Sequence, residues 1–287
     1  MDIQLADERI FLYPPRLKQA EAEDQAWAKK LDAFGTVNKV ASFLQKPKDE
    51  DFELNYQEFR FQPFWYLKYH SRYVYDRGAN YHVPTQGPEV QAVTLMDQKN
   101  SVSSGHFDLK VTEHCTQEEE KDVFVGGLTS AKDPSLKQYF DYQAKEHLPD
   151  SLATAVPDGA IIVPPEAKAS AIVRESLGKM IRAIKADQIF EESVRVEHID
   201  LYYHPVYAFQ FTWKSKQKTA LIEIDALTGS LQTGQKTFKQ YLGKALDAQF
   251  LFDVGADAAG MVIPGGSIAV KLAKKVIDRK LETKKQR

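Results

Sequence analysis

The chain has 287 residues, 43% hydrophobic and 27% charged, which are the values of a globular protein and exclude a disordered or fibrous one. Its one cysteine, Cys115, excludes an intramolecular disulfide framework and points to a reducing compartment. The net charge of −2 is uneven: residues 267–287 hold eight Lys/Arg against Asp278 and Glu282, a net +6, so the other 266 residues carry −8. That distribution fits a local anionic partner and not a protein that coats nucleic acid.

No basic segment followed by an apolar run opens the chain, and no stretch approaches about 18 apolar residues. The expectation is a cytoplasmic protein with no transmembrane segment, at most peripheral at a membrane surface.

In chain order, the first signal is a short apolar strand stopped by prolines, IFLYPP (residues 10–15). Proline cannot donate to a ladder but is tolerated in the first turn of a helix. A helical pattern follows, with Leu17, Ala20, Trp27, Leu31 and Phe34 near one face, extended by Val37, Val40, Ala41 and Leu44. Residues 59–69 then alternate Phe59, Phe61, Pro63, Trp65, Leu67 and Tyr69, a strand whose central proline suggests an edge or a bulge. YVYDRGANYHV (residues 73–83) reads as a hairpin turning at Asp76-Arg77-Gly78, and HFDLKVTEHC (residues 106–115) as a further strand. GGLTS (residues 126–130) is a turn, and SLKQYF (residues 135–140) opens a helix with Ser135 as its cap.

The same four signals return in the same order. AIIVPP (residues 160–165) precedes a helical stripe of Ala169, Ile172, Val173, Leu177, Met180, Ile181 and Ile184. Leu201, Tyr203, Pro205, Tyr207, Phe209 and Phe211 repeat the proline-centred alternation, DALTGS (residues 225–230) the turn, and TFKQYL (residues 237–242) the capped opening with Thr237. The offsets are 150, 142, 99 and 102 residues, so the first copy holds about 43 extra residues, at about 73–115. The expected fold is α+β and internally duplicated: residues 1–150 and 151–248 each form a helix packed on a largely antiparallel sheet. Residues 249–287 add a C-terminal helical hairpin, a small-residue segment followed by a basic amphipathic helix.

One stretch carries a family resemblance. An aromatic strand (YAFQFTW), a basic turn (KSKQK) and a strand ending in D-x-x-T-G at Asp225, Thr228 and Gly229 resemble the PepSY domain over residues 200–230. That resemblance implies peptidase inhibition or regulation, mostly in exported proteins.

The final helix places Ile268, Leu272 and Val276 on one side, with Lys271, Lys274, Lys275, Arg279 and Lys280 around the rest. An apolar side of this kind must meet the body, a second copy or an outside partner. The expected function is therefore non-catalytic binding or assembly through the C-terminal helices. The partner would be a protein, another copy of the chain or an anionic membrane surface. One alternative is an enzyme with its site in the cleft between the modules. A second is single-stranded nucleic-acid binding on strand 60–72, where Arg60, Phe64, Tyr66, Lys68, His70 and Arg72 share the even-numbered face; nucleic acid is the less favoured partner. The odd-numbered face is assigned to the core and the even one to solvent. No cofactor and no metal are expected, because His106, His114 and Cys115 lie close in sequence without a ligand spacing. No nucleophile elbow, phosphate-binding loop or dinucleotide fingerprint occurs.

Overall fold

A computed structural model describes residues 1–34, 47–181, 183–234, 236–242 and 271–274. In chain order the elements are β1 (Asp2–Leu5), β2 (Glu8–Leu12), α1 (Gln19–Ala28), β3 (Phe52–Pro84), β4 (Ala92–Leu95), β5 (Gln98–Ser101) and β6 (His106–Gly126). After these come β7 (Lys145–His147), α2 (Leu152–Ala155), β8 (Ile161–Ile162), α3 (Ala169–Met180), β9 (Gln188–Trp213), β10 (Lys218–Asp225), β11 (Leu231–Gly234) and β12 (Lys271–Lys274). Ten strands form one mixed sheet, while β4 and β5 pair apart from it.

Two long strands make the spine of the sheet. β3 and β9 run antiparallel from Phe52↔Trp213 to Asp76↔Gln188, with register shifts near Tyr56, Tyr69 and Tyr75. Both are rich in aromatic and β-branched residues, which pack well on a pleated surface. The outer side of β9 is taken in turn by β1 and β2, both parallel, and then by antiparallel β10. The outer side of β3 takes parallel β8 and then antiparallel β6.

The central prolines mark neither an edge nor a bulge. Pro63 faces Tyr203 and Pro205 faces Phe61 in the middle of the sheet. On its outer side Pro63 falls between the end of β8 pairing at Phe61 and the start of β6 pairing at Phe64. Pro205 likewise falls between β2 pairing at Tyr203 and β10 pairing at Val206. A missing N–H is harmless where the neighbouring strand is itself interrupted. Their carbonyls are still used, accepting from Gly127 N (3.0 Å) and Ala226 N (2.9 Å).

The expected fold is corrected here. Two modules, each a helix on its own sheet, do not form, because both halves contribute to one mixed, strand-dominated sheet. The Pro-Pro segments each pair with the aromatic strand of the other half: Tyr13 N donates to Tyr203 O (3.0 Å) and Val163 N to Phe61 O (3.1 Å). Antiparallel pairing of β3 with β9 satisfies the backbone groups that the two strands turn toward each other, which two separate sheets would leave as open edges.

Among the described residues the helices are few and lie on one face. Phe59 and Tyr207 stack at 4.6 Å on that face, and Trp65 Nε1 donates to Ala167 O (3.1 Å). α3 presses Ile172, Val173, Leu177 and Met180 onto Trp65, Leu67 and Tyr203, as the stripe predicts. α1 buries Ala22 and Ala26 against Phe209, Phe211 and Ile222, whereas Ala20 is exposed. Val37, Val40, Ala41 and Leu44 lie outside the described residues. The opposite face is also covered, by a 3₁₀ segment (Pro134–Asp141) and by residues 236–242. Asp133, not Ser135, caps the 3₁₀ segment, accepting from Ser135 N at 3.0 Å. The even-numbered face is therefore not a solvated one: Arg60, Phe64, Tyr66 and His70 are all buried.

Two further expectations change. Asp76-Arg77-Gly78 is no turn; these residues run through the middle of β3 opposite His114, Glu113 and Thr112. Gly78 instead admits Asp187, whose carboxylate accepts from Gly78 N at 2.5 Å. The turn comes at Met96 and Asp97, whose φ angles of 49° and 62° close the β4–β5 hairpin. At the C-terminal end, Lys271–Lys274 is a strand parallel to β1, with Leu272 beside Ile3, which overturns a helix over these residues. The edge of β1 presents unpaired N–H and C=O groups, and a strand at 271–274 covers them where a helix would leave them open. Residues 249–266, the first arm of the expected hairpin, lie outside the described residues.

Candidate functional site

Of the expected partner-binding residues, Lys271, Leu272 and Lys274 stand on β12 at the sheet's edge. Ile268, Lys275, Val276, Arg279 and Lys280 lie outside the described residues.

The residues of the nucleic-acid alternative are committed to other partners. Arg60 is fully buried, with Nη1 2.5 Å from Glu58 and Nη2 2.6 Å from Glu223. Its guanidinium lies 4.7 Å from the Phe238 ring, and Glu58 also accepts from Phe238 N (3.0 Å) and the Tyr56 hydroxyl (2.8 Å). A buried cation of this kind is held because removing it strands two carboxylates out of water. Tyr66 donates to Asp122 (2.8 Å), and burial pushes its phenol up. Lys68 stands 3.6 Å from Glu120 and 3.8 Å from Glu197, and Arg72 stands 3.1 Å from Glu191 and 3.9 Å from Glu118. A phosphate backbone would have to displace carboxylates at both of these half-buried cations.

Beside this network lies a second buried polar group. β10 ends at Asp225, whose Oδ1 accepts from Leu227 N and Thr228 N (both 2.8 Å) and so folds the D-x-x-T-G turn. Its Oδ2 receives the Tyr139 hydroxyl (2.6 Å) and the His204 Nδ1 (2.7 Å). Burial alone would raise the Asp225 carboxyl, but the bonds from His204, Tyr139 and Thr228 outweigh it and hold the carboxyl at about 2. Tyr139 is pushed up by burial and then by Asp225. The dyad is closed over by the rings of Phe64 and Tyr139, 6.2 Å and 4.6 Å from His204, which makes it an anchor for residues 134–142.

A cleft of about 430 Å³ opens where residues 157–161 approach β3, lined by Pro15, Tyr56, Glu58, Phe59, Asp158 and Tyr207. Glu58, which an enzyme would use there as acid or base, is already bound to Arg60, Tyr56 and Phe238 N.

The remaining candidate is the far end of β3 and β6. Past Asp76↔Gln188 the two strands continue to Pro84↔His106, and no third strand among the described residues joins them. The outer edge of β6 carries the charges Glu113, Glu118, Glu119, Glu120 and Lys121, a pattern that discourages edge-to-edge pairing. Apolar side chains gather on and beside this ribbon: Ile189 and Phe190 on β9 at its root, Tyr81 on its shaft, and Leu95 and Met96 at the β4–β5 hairpin beyond its tip. These are five of the eight large hydrophobics that stand exposed among the described residues.

The same shaft holds a grouping that the sequence reading missed. His82 lies opposite Asp108, and His106 lies two residues from Asp108 on the same face of β6. His82 Nδ1 stands 2.6 Å from Asp108 Oδ1, and hydrogen bonds from His82 and Asn80 hold the Asp108 carboxyl below its usual value. The signal was present as His-x-Asp on an alternating strand, but its partner His82 is placed only by the register. His114 instead pairs with Asp76 (2.7 Å), and Cys115 is half-buried on the opposite face.

No protein-family model, no curated protein and no solved structure matches the chain. Among the described residues, no helix is long and apolar enough to cross a membrane.

Proposed function

We propose that this is a non-catalytic binding or assembly protein whose partner is another protein, engaged by the β3–β6 ribbon. The observation that carries this reading is the placement of exposed apolar side chains. A two-stranded ribbon cannot bury a core of its own, yet this one displays Tyr81 and Met96, and Ile189 and Phe190 of β9 stand exposed beside its root. Exposure of that kind on a projecting element is removed when a partner closes over it. The PepSY resemblance of residues 200–230 supports the same class of function, since that family is linked to the regulation of other proteins. The net +6 of residues 267–287 supports an added, salt-sensitive attraction to an acidic partner surface.

The test is a variant with Tyr81→Ser, Met96→Ser, Ile189→Thr and Phe190→Thr, compared with wild type by light-scattering mass and by capture from the native cell. The variant should melt within about 1 kcal/mol of wild type, because exposed positions contribute little to stability. It should also lose the self-association or the specific protein that wild type retains. Identical masses and identical captured proteins for the two chains would overturn the reading.

A further inference from the structure

The ribbon carries a second feature, independent of its apolar side chains. Among the described residues, it is the one place where three groups able to ligate a metal converge. His82, His106 and Asp108 each offer one ligand atom, and these atoms lie within 4.8 Å of one another. The other histidine–carboxylate contacts among the described residues, His70 with Glu118, His114 with Asp76, His198 with Asp200 and His204 with Asp225, each bring a single imidazole.

We propose that His82, His106 and Asp108 bind a zinc-class divalent cation on the shaft of the ribbon. Two imidazoles and one carboxylate form a donor set that suits zinc, cobalt or nickel and does not suit magnesium or calcium, which take oxygen ligands. Ligand atoms around a tetrahedral zinc stand roughly 3.3 Å apart. His82 and Asp108 have exposed side chains (65% and 54%), so rotation of these side chains alone closes the distance without moving a strand. The strands themselves are well fixed. The pairing from Phe64↔Gly126 to Pro84↔His106 has no register shift, and Ser103 bridges His106 through the backbone.

Supporting contacts complete the arrangement. His106 Nδ1 lies 3.3 Å from the Ser104 carbonyl, an acceptor that fixes this nitrogen as the N–H and turns the lone pair of Nε2 outward. Metal-binding histidines are commonly oriented by such a carbonyl. Next to the three ligands is a cleft of about 300 Å³ lined by Lys99, Asn100, Ser101 and Ser103. It leaves the remaining coordination positions to water or to a small anion, for which the Lys99 ammonium is the nearby counter-charge. With three protein ligands the site is open, unlike the closed four-ligand sites that staple small folds.

The experiment is titration of the untagged, full-length protein with Co²⁺ and Zn²⁺, followed by the visible absorption of bound Co²⁺ and by calorimetry. One equivalent should bind, and excess Mg²⁺ should not compete. His82→Ala, His106→Ala and Asp108→Asn should each weaken binding by on the order of 100-fold, while His114→Ala should leave it unchanged. All four positions are on the ribbon's surface or half-buried, so thermal melts without metal should coincide and loss of binding cannot be loss of fold. Binding that survives the three substitutions, or binding no tighter than millimolar in wild type, would overturn the site. Either result would leave the apolar partner surface untouched, because that is tested by different substitutions.

Discussion

Asp225 does two jobs with two oxygens, one folding its own turn and one tying down Tyr139 and His204. Its carboxyl titrates at about 2 in the folded protein, against 3.8 as the reference value. The folded state therefore favours the charged form, and the associated stability is present above about pH 4–5 and is lost as pH falls toward 2. A depression of this size corresponds to about 2 kcal/mol. Urea melts of wild type at pH 7, 4, 3 and 2 should show that loss, and Asp225→Asn should be less stable at pH 7 with a flatter acid limb. A variant with an unchanged acid limb would show that other carboxylates carry the dependence. The turn was legible in the sequence, since Asp with a following Thr and Gly is a local signal, and Gly229 does take a positive φ of 72°. Tyr139 was not legible, because it lies 86 residues from Asp225 and only the completed sheet brings the two together.

At the scale of elements, period-2 alternation located both spine strands, and 3.6-residue spacing located α3, because each pattern reflects a face that is buried. It did not reveal where those strands stop. The Asp-Arg-Gly turn signal at 76–78 was outvoted by continuous pairing with β6, in which 21 successive residue pairs keep one register. The even face of β3 was misread for a related reason. Arg60 looks like a solvent-facing cation until Glu223 of β10 is placed beside it, joining Glu58 two residues away on β3. The ribbon also predicts a gradient of stability along β3. Amides of residues 61–69 other than Pro63 have strands or turns on both sides, whereas Ala79, Tyr81 and Val83 belong to a two-stranded segment. Native-state hydrogen exchange should be at least about 100-fold faster at the latter group. Equal protection along the whole of β3 would mean that the ribbon is packed against something in solution.

For the molecule as a whole, the decisive contacts are non-local. β1 and β2 lie parallel to β9, and Ile3, Leu5, Ile10 and Leu12 are buried there. Burying four such side chains is worth about 6–12 kcal/mol, comparable to the whole stability of a domain. Removing residues 1–13 should therefore abolish the cooperative thermal transition. A truncated chain that still melts near the wild-type temperature would show that β1 and β2 are a veneer on a sheet stable without them. The same pairing bears on how the protein is made. Ile3 leaves the ribosome 191 residues ahead of Val194, its neighbour in register. At translation speeds of 5–20 residues per second the delay is roughly 10–40 s. For that interval the apolar run Ile10, Phe11 and Leu12 lacks its β9 partners, and only the three-residue β7, itself 133–137 residues later, can meet it sooner, which makes the nascent chain a natural client for a holding chaperone and leaves β1 and β2 among the last strands to be seated.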